Sequence, residues 1–267
     1  MNVRLLVQTI RWNRTRLIAL FVVGFGWGAL IPVIYVSFSD VIRDLANSGA
    51  FPKELMNFGS GSLFTVPGAI TIGFQHPIAI AFLGIFAVGT STGAIAGERE
   101  RGTLEVLLAR PVSRRALYVT VATAVVILLA IELVSMLAGQ LAGIVAVDIG
   151  DQVDIGSFWL VFVNALLLWA AFAAFSLAAS VSFDRHSPAL GLALAFLLVN
   201  YFLEILGSLW TDVDWTQEYS LFHHFQPTEL LAGNAQPLDF LILAAAVAVP
   251  VIYALFVFPR RDLAAPD

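Results

Sequence analysis

Two carboxylates stand where carboxylates are expensive. Glu132 lies in Ala130-Ile131-Glu132-Leu133-Val134 and Glu204 in Phe202-Leu203-Glu204-Ile205-Leu206, both inside long apolar runs. An ionised side chain at the bilayer centre costs at least ~2.5–3.5 kcal/mol on insertion scales, so each should face protein or water. The chemistry open to them is a polar translocation path or a substrate contact. The alternative is a hydrogen-bonded packing group, and Gln140 and Asn164 fit either role.

The other chemically capable groups are weaker. Asp148, Asp151 and Asp154 resemble oxygen ligands for a hard cation, but their spacing is not that of a calcium loop, and a solvated acidic loop explains them. His223 and His224 are adjacent, point apart in a helix and lack a third ligand, so no metal site is expected. They read as an interfacial segment whose Phe222 and Phe225 dip into the membrane edge. The chain has no cysteine, which excludes disulfides, thiolate metal sites and cysteine nucleophiles. Lys53 is the single lysine, and it does not follow a glycine-rich turn. A phosphate-cradling loop is therefore missing, and any ATP hydrolysis must occur on another polypeptide. No His-Glu-x-x-His, Gly-x-Ser-x-Gly or Gly-x-Gly-Asp pattern supports an intramembrane enzyme.

These groups must be positioned by membrane helices. Of 267 residues, 59% are hydrophobic and 12% charged, against roughly 25% charged in a soluble domain. Residues 1–267 read as a single transmembrane domain. A helix needs about 20 apolar residues to cross the hydrocarbon core, which places spans at roughly 17–38, 77–96, 116–147, 157–183, 188–210 and 238–258. Pro77, Pro111, Pro188 and Pro237 punctuate them. The first span is too long for a cleaved leader and reads as a signal anchor. A large outer loop follows it, over 39–76. Twelve of the fourteen Lys and Arg residues fall in one set of loops, and only Arg43 and Lys53 in the other. That bias puts the first set, with both termini, in the cytoplasm and predicts a multi-pass protein of the cell membrane. The outer loops are acidic.

The stretch from Gly97 to Arg115 lies between spans two and three. Gly97 and Gly102 can break helix, and Thr103 can cap a new short one. Leu104, Leu107 and Leu108 then share a face, with Glu105 and the arginines off it. Pro111 ends the helix and Ser113 caps the third span. Residues 1–16 form a second amphipathic element, with Val3, Val7, Ile10 and Leu17 opposite Arg4, Gln8, Arg11 and Thr15. They suit an interfacial helix or a plain basic anchor.

Glu98, Glu100, Gly102, Thr103, Leu104, Glu105, Leu107, Leu108, Pro111, Ser113 and Arg114 fall in the order of a motif found in type-2 ABC permeases, the membrane subunits of export-type ATP-binding-cassette systems. The chain resembles that family along its length, down to a tail like Phe258-Pro259-Arg260-Arg261-Asp262-Leu263. It departs in lacking a lysine after the Ser-Arg pair. The resemblance implies an all-α integral membrane protein of six spans, with a cytoplasmic coupling helix within 97–112. It implies that Glu98, Glu100, Gly102, Thr103, Leu104, Glu105, Leu107, Leu108, Pro111 and Arg114 couple to a separate ABC ATPase subunit. That subunit would hold ATP and magnesium, so this chain would be no enzyme and carry no cofactor. A second permease chain, identical or different, and membrane lipid would complete the partners, without nucleic acid. The same segment would also serve a membrane module that uses the ATPase to assemble or mature another protein without transport.

Overall fold

The structure is a computed structural model that describes residues 1–48, 57–58, 61–62, 64–109 and 112–261. The sequence features at Lys53, Arg110 and Pro111 lie outside the described residues.

Helix α1 (Val3–Trp12) starts where Asn2 accepts a hydrogen bond from the Leu5 amide. Asn13 separates it from α2 (Arg14–Asn47), so the amphipathic element is shorter than residues 1–16. Its inner face also differs from the expected one. Leu5 and Ile10 pack on the core, while Val3 and Val7 point outward with Arg4 and Arg11. The Asn2 amide donates to Thr120 Oγ1 at 2.9 Å, which ties the start of α1 to the third span.

The region read as an outer loop over 39–76 holds more helix than composition suggested. Helix α2 runs to Asn47. A two-residue ladder, β1 (Asn57–Phe58) with β2 (Gly61–Ser62), is antiparallel, with Asn57 opposite Ser62. Helix α3 (Val66–Gln75) then begins at Thr65, whose hydroxyl accepts from the Gly68 amide. Almost all of α3 is buried. Its run Val-Pro-Gly-Ala-Ile-Thr-Ile-Gly-Phe-Gln is too short to span a bilayer, which is why hydropathy alone did not separate it from the loop.

Helix α4 (Pro77–Thr92) continues through a π turn (Gly93–Gly97) into α5 (Glu98–Glu100), and α6 (Thr103–Leu108) follows. Helices α7 (Arg114–Ala146), α8 (Phe158–Ser182) and α9 (His186–Leu209) come next. A loop of 3₁₀ turns and α10 (Pro227–Leu231) then leads to α11 (Pro237–Arg260). Six of these helical stretches are long and apolar enough to cross a membrane, beginning at Arg14, Pro77, Arg114, Ile155, His186 and Pro237. The fold is an all-α membrane bundle apart from the small ladder. Helix α8 sits at its centre against α4, α7, α9 and α11, and α2, α9 and α11 keep most of their apolar surface outward.

Helices α2 and α7 approach most closely, through two small-residue pairs. Gly24 and Gly28 face α7, and Gly139 and Gly143 face α2. A Cβ on Gly28 would run into the Met136 carbonyl, and one on Gly139 into the Phe25 carbonyl. Small residues four apart allow this backbone contact in lipid, where association depends on close packing and hydrogen bonds. Ser135 adds a hydrogen bond to the Phe21 carbonyl. Both Gly-x-x-x-Gly spacings are visible in the sequence, but the pairing of the first and third spans is not.

Candidate functional site

The segment after α4 is built by three local devices. First, Gly97 does not break the helix as expected. Its backbone stays helical, and the irregularity lies one turn earlier. Ser180 of α8 donates to the Thr92 carbonyl at 2.8 Å and accepts from the Ala96 amide at 2.9 Å. A side chain inserted into the ladder widens one turn to π geometry. Second, Gly102 takes φ 71°, the left-handed region that favours glycine, and turns the chain into α6. Third, Thr103 does not cap α6. It is the first helical residue, and its hydroxyl turns back to the Glu98 carbonyl at 3.0 Å and to the Glu98 carboxylate. Glu98 also pairs with Arg101, so the bend from Glu98 to Thr103 closes on itself.

The neighbouring charges fix this bend to the bundle. Arg99 is buried and forms an ion pair with Asp184 at 2.6 Å. Arg261 pairs with the same carboxylate, and its guanidinium donates to the Val181 carbonyl at 2.6 Å. Glu100 accepts from the His186 amide at 3.1 Å, at the first residue of α9, where the helix dipole favours an anion. Arg114 donates to the Arg261 carbonyl at 2.6 Å, beside the last carbonyls of α11. Ser113 caps α7 as expected, accepting from the Ala116 amide.

Helix α6 is seated by its leucines. Leu104 is 1% exposed and belongs to the chain's own core, and Leu107 and Leu108 are half-buried. Within this chain Leu104 is therefore covered, while Leu107 and Leu108 keep part of their surface open. Amphipathic spacing shows that a face must be covered, not what covers it. The outward residues are Arg101, Gly102, Thr103, Glu105, Val106 and Ala109, with Val106 65% exposed.

The membrane carboxylates are not alike. Glu204 accepts from Gln217 Nε2 at 3.2 Å, which ties α9 to the 3₁₀ turns after it. Glu132 is fully buried, and neither of its oxygens has a hydrogen-bond partner among the described residues. No hydrogen bond or ion pair between the two is seen among the described residues. Gln140 donates to the Ile70 carbonyl of α3 at 3.4 Å. Asn164 donates to the His224 carbonyl at 3.1 Å and accepts from the Gln226 amide at 3.3 Å.

A family model described as ABC-2 family transporter protein matches residues 8–263. The chain belongs to the ABC-2 transporter family. No curated protein matches it. It is thus an ABC transporter permease and a multi-pass membrane protein, and members of its family generally work with an ATPase subunit.

The far end of this ABC-2 permease corrects a further expectation. Phe222 and Phe225 do not dip into the membrane edge. Both are 1% exposed: Phe222 packs on Trp169, Phe172 and Tyr201, and Phe225 on Phe74. His224 hydrogen-bonds Asp239 at 2.8 Å. Asp154 accepts from the Gly156 amide and the Ser157 hydroxyl, so it caps a turn. Among the described residues, no group of three or more His, Cys, Asp or Glu is placed to hold a metal. Sequence reasoning missed Ser180, Asp184 and Arg261 as partners of the bend. The crowding of Asp184 and Arg185 in the short α8–α9 turn was the only local sign.

Proposed function

We propose that this permease couples ATP hydrolysis on a separate ABC ATPase subunit to export of a substrate, with the arginine-rich loops and both termini in the cytoplasm. Two permease chains, identical or different, pair in the cell membrane and each docks one ATPase. The chain itself hydrolyses nothing. The observation that carries this reading is the mounting of α6. A short helix with an outward Glu105 and Val106 is joined through the Glu98–Thr103 bend to α4, through Glu100 to α9, and through Arg99 and Asp184 to Arg261. A push on α6 would therefore reach three membrane spans without passing through a mobile linker. Leu104 and Leu108 hold α6 to the permease, and the coupling contact falls on the outward residues, Gly102 among them. Pro111 completes the segment by its place in the motif, and Arg114 anchors the end of α11. Of the two carboxylates, Glu132 is the better path candidate, because Glu204 is engaged in holding the loop after α9.

The test is co-purification with the ATPase subunit together with substrate-dependent ATP hydrolysis. Val106→Asp should weaken association at least about tenfold, since interface energy concentrates in a few central anchors, while membrane level stays normal. Gly102→Val, forced into a left-handed backbone, should leave the chain inserted but uncoupled. If both variants associate and transport like the parent, α6 is not the coupling element.

A further inference from the structure

Two cavities meet at one arginine. The first is a groove of about 490 Å³ between α4 and α9, with walls including Ile80, Ala81, Leu194 and Leu198. Arg16 is the one charged residue among the described residues that line it. The second, of about 250 Å³, lies between α1, α4, α6 and α7, and its lining includes Asn13, Thr90, Glu98 and Arg101. Arg16 and Gly89 line both. A Cβ on Gly89 would sit 3.2 Å from the Arg16 guanidinium, so the glycine leaves the junction open.

Arg16 is held at this junction by neutral groups. It donates to the Thr90 hydroxyl at 3.2 Å and the Ile85 carbonyl at 2.5 Å, and it lies 5.2 Å from the centre of the Phe86 ring. A guanidinium has five N–H donors, and these hydrogen bonds use two. Arg16 forms no ion pair among the described residues. Glu98, at the wall of the smaller cavity, is already paired with Arg101. The junction is therefore a cation facing an apolar groove on one side and, on the other, a vestibule of mixed lining in which Asn13, Thr90, Glu98 and Arg101 stand among apolar residues such as Leu5, Trp12 and Leu117.

From Pro77 to Gly89 the groove wall rises roughly 18 Å at 1.5 Å per residue. One leaflet of a ~30 Å hydrocarbon core is about 15 Å deep. We infer that the groove holds one acyl chain of a membrane phospholipid whose anionic headgroup meets Arg16 from the vestibule. Hydrocarbon matches the apolar walls, and the acid matches the cation at their end. The inference concerns the permease alone and does not depend on ATPase coupling.

The full-length chain in neutral detergent would be titrated with phosphatidylglycerol or with phosphatidylcholine of the same acyl chains. Bound lipid would be counted by native mass spectrometry. One phosphatidylglycerol should bind at least about tenfold more tightly than phosphatidylcholine. Arg16→Gln, which keeps donors and length but loses the charge, should bring the two lipids to equal affinity. Ala81→Trp fills the groove from an exposed wall position and should weaken both about tenfold. If Ala81→Trp proves misfolded by its melting profile, Leu198→Trp on the opposite wall replaces it. Arg260→Gln, outside both cavities, should change nothing. Equal binding of the two lipids by the parent overturns the inference. So does unchanged binding by the groove variants, or displacement of phosphatidylglycerol by glycerol phosphate alone. Because the chain has no cysteine, single cysteines at Ala81 and Leu198 also report the alternative occupant. Efficient cross-linking between two copies in membranes would show that a second chain covers the groove and would likewise overturn the lipid assignment.

Discussion

The two ends of the bundle are fastened by different chemistry. At the arginine-rich end the connections are short and the ties are ionic. Arg99, Asp184 and Arg261 form one cluster, Glu100 meets the start of α9, and Arg114 meets the end of α11. At the acidic end a long connection from Trp210 to Gln236 folds back over the helices, and its main ties are neutral. Asn200 accepts from the Leu221 amide at 2.9 Å, Asn164 bridges His224 and Gln226, and Phe222 and Phe225 sink among aromatic rings. Most of the carboxylates there, such as Asp148, Asp151, Asp212 and Asp214, point outward. Charge thus makes the main ties at one end and mostly coats the other, where Glu204 with Gln217 and Asp239 with His224 are the exceptions. The ionic end joins several spans through a few side chains. The neutral end buries a broad surface and closes the bundle.

Removing charge should hurt the first end most. Asp184→Asn keeps an oxygen for its arginine neighbours but takes away the carboxylate that Arg99 and Arg261 share. Breaking a buried pair costs ~3–5 kcal/mol, and Asp184 is 53% exposed in its side chain, so on the order of 2 kcal/mol is expected here. The readout is the unfolding midpoint of the purified chain in detergent, together with ATPase-coupled activity. A midpoint equal to the parent's would erase the contrast between the ends.

A neutral substitution sharpens the same comparison. Asn200→Ala strips the acceptor from the Leu221 amide and should cost about 1–2 kcal/mol, the usual penalty for stranding a buried donor. The loss should be local: amide hydrogen exchange should rise across 211–225 while the Arg99 region stays protected. Equal acceleration at both ends would show that they unfold as one unit and that the distinction has no energetic meaning.

Much of this arrangement was legible in the sequence, for identifiable reasons. The spans follow from the length of apolar runs. Gly102 and Ser113 act within a few residues of themselves, so their turn and cap could be read directly. Most of the misreadings involve partners distant in sequence. Leu104, Leu107 and Leu108 announced an apolar face, but the chain itself covers Leu104 and part of Leu108. Phe222 and Phe225 had the composition of an interfacial segment, yet the cavity that accepts them is lined by Phe74 and residues of α8 and α9. Ser180 enters the α4 ladder from a helix more than eighty residues away, and nothing near Gly93 signals it. Thr103 failed as a cap because Gly102, in a left-handed backbone, already fills the position that a cap requires.

The smallest effect belongs to a histidine of the acidic end whose surroundings disfavour its charge. His223 sits in the turn Leu221–His224 with its ring 5.5 Å from that of His224. Burial, and then the neighbouring His224, hold its pKa below the ordinary histidine range, while Asp239 and Glu218 pull in the opposite direction. The folded turn therefore favours the neutral ring, whereas an opened turn takes up a proton near the unperturbed value of about 6.5. The opened state binds more protons, so the stabilising contribution is present above that value and is lost as the pH falls through the folded pKa. Because the ring is only half-buried, solvent damps the effect. Local protection of 221–231 should weaken modestly between about pH 7.5 and pH 5, beyond the intrinsic change in exchange chemistry. His223→Gln should flatten that dependence while leaving protection at pH 7.5 close to the parent's. Exchange measured at the two pH values, on both proteins, decides it. If the glutamine variant loses protection on acidification as steeply as the parent, the pH response arises elsewhere, and the acidic end is closed by its neutral ties without a titrating contribution from His223.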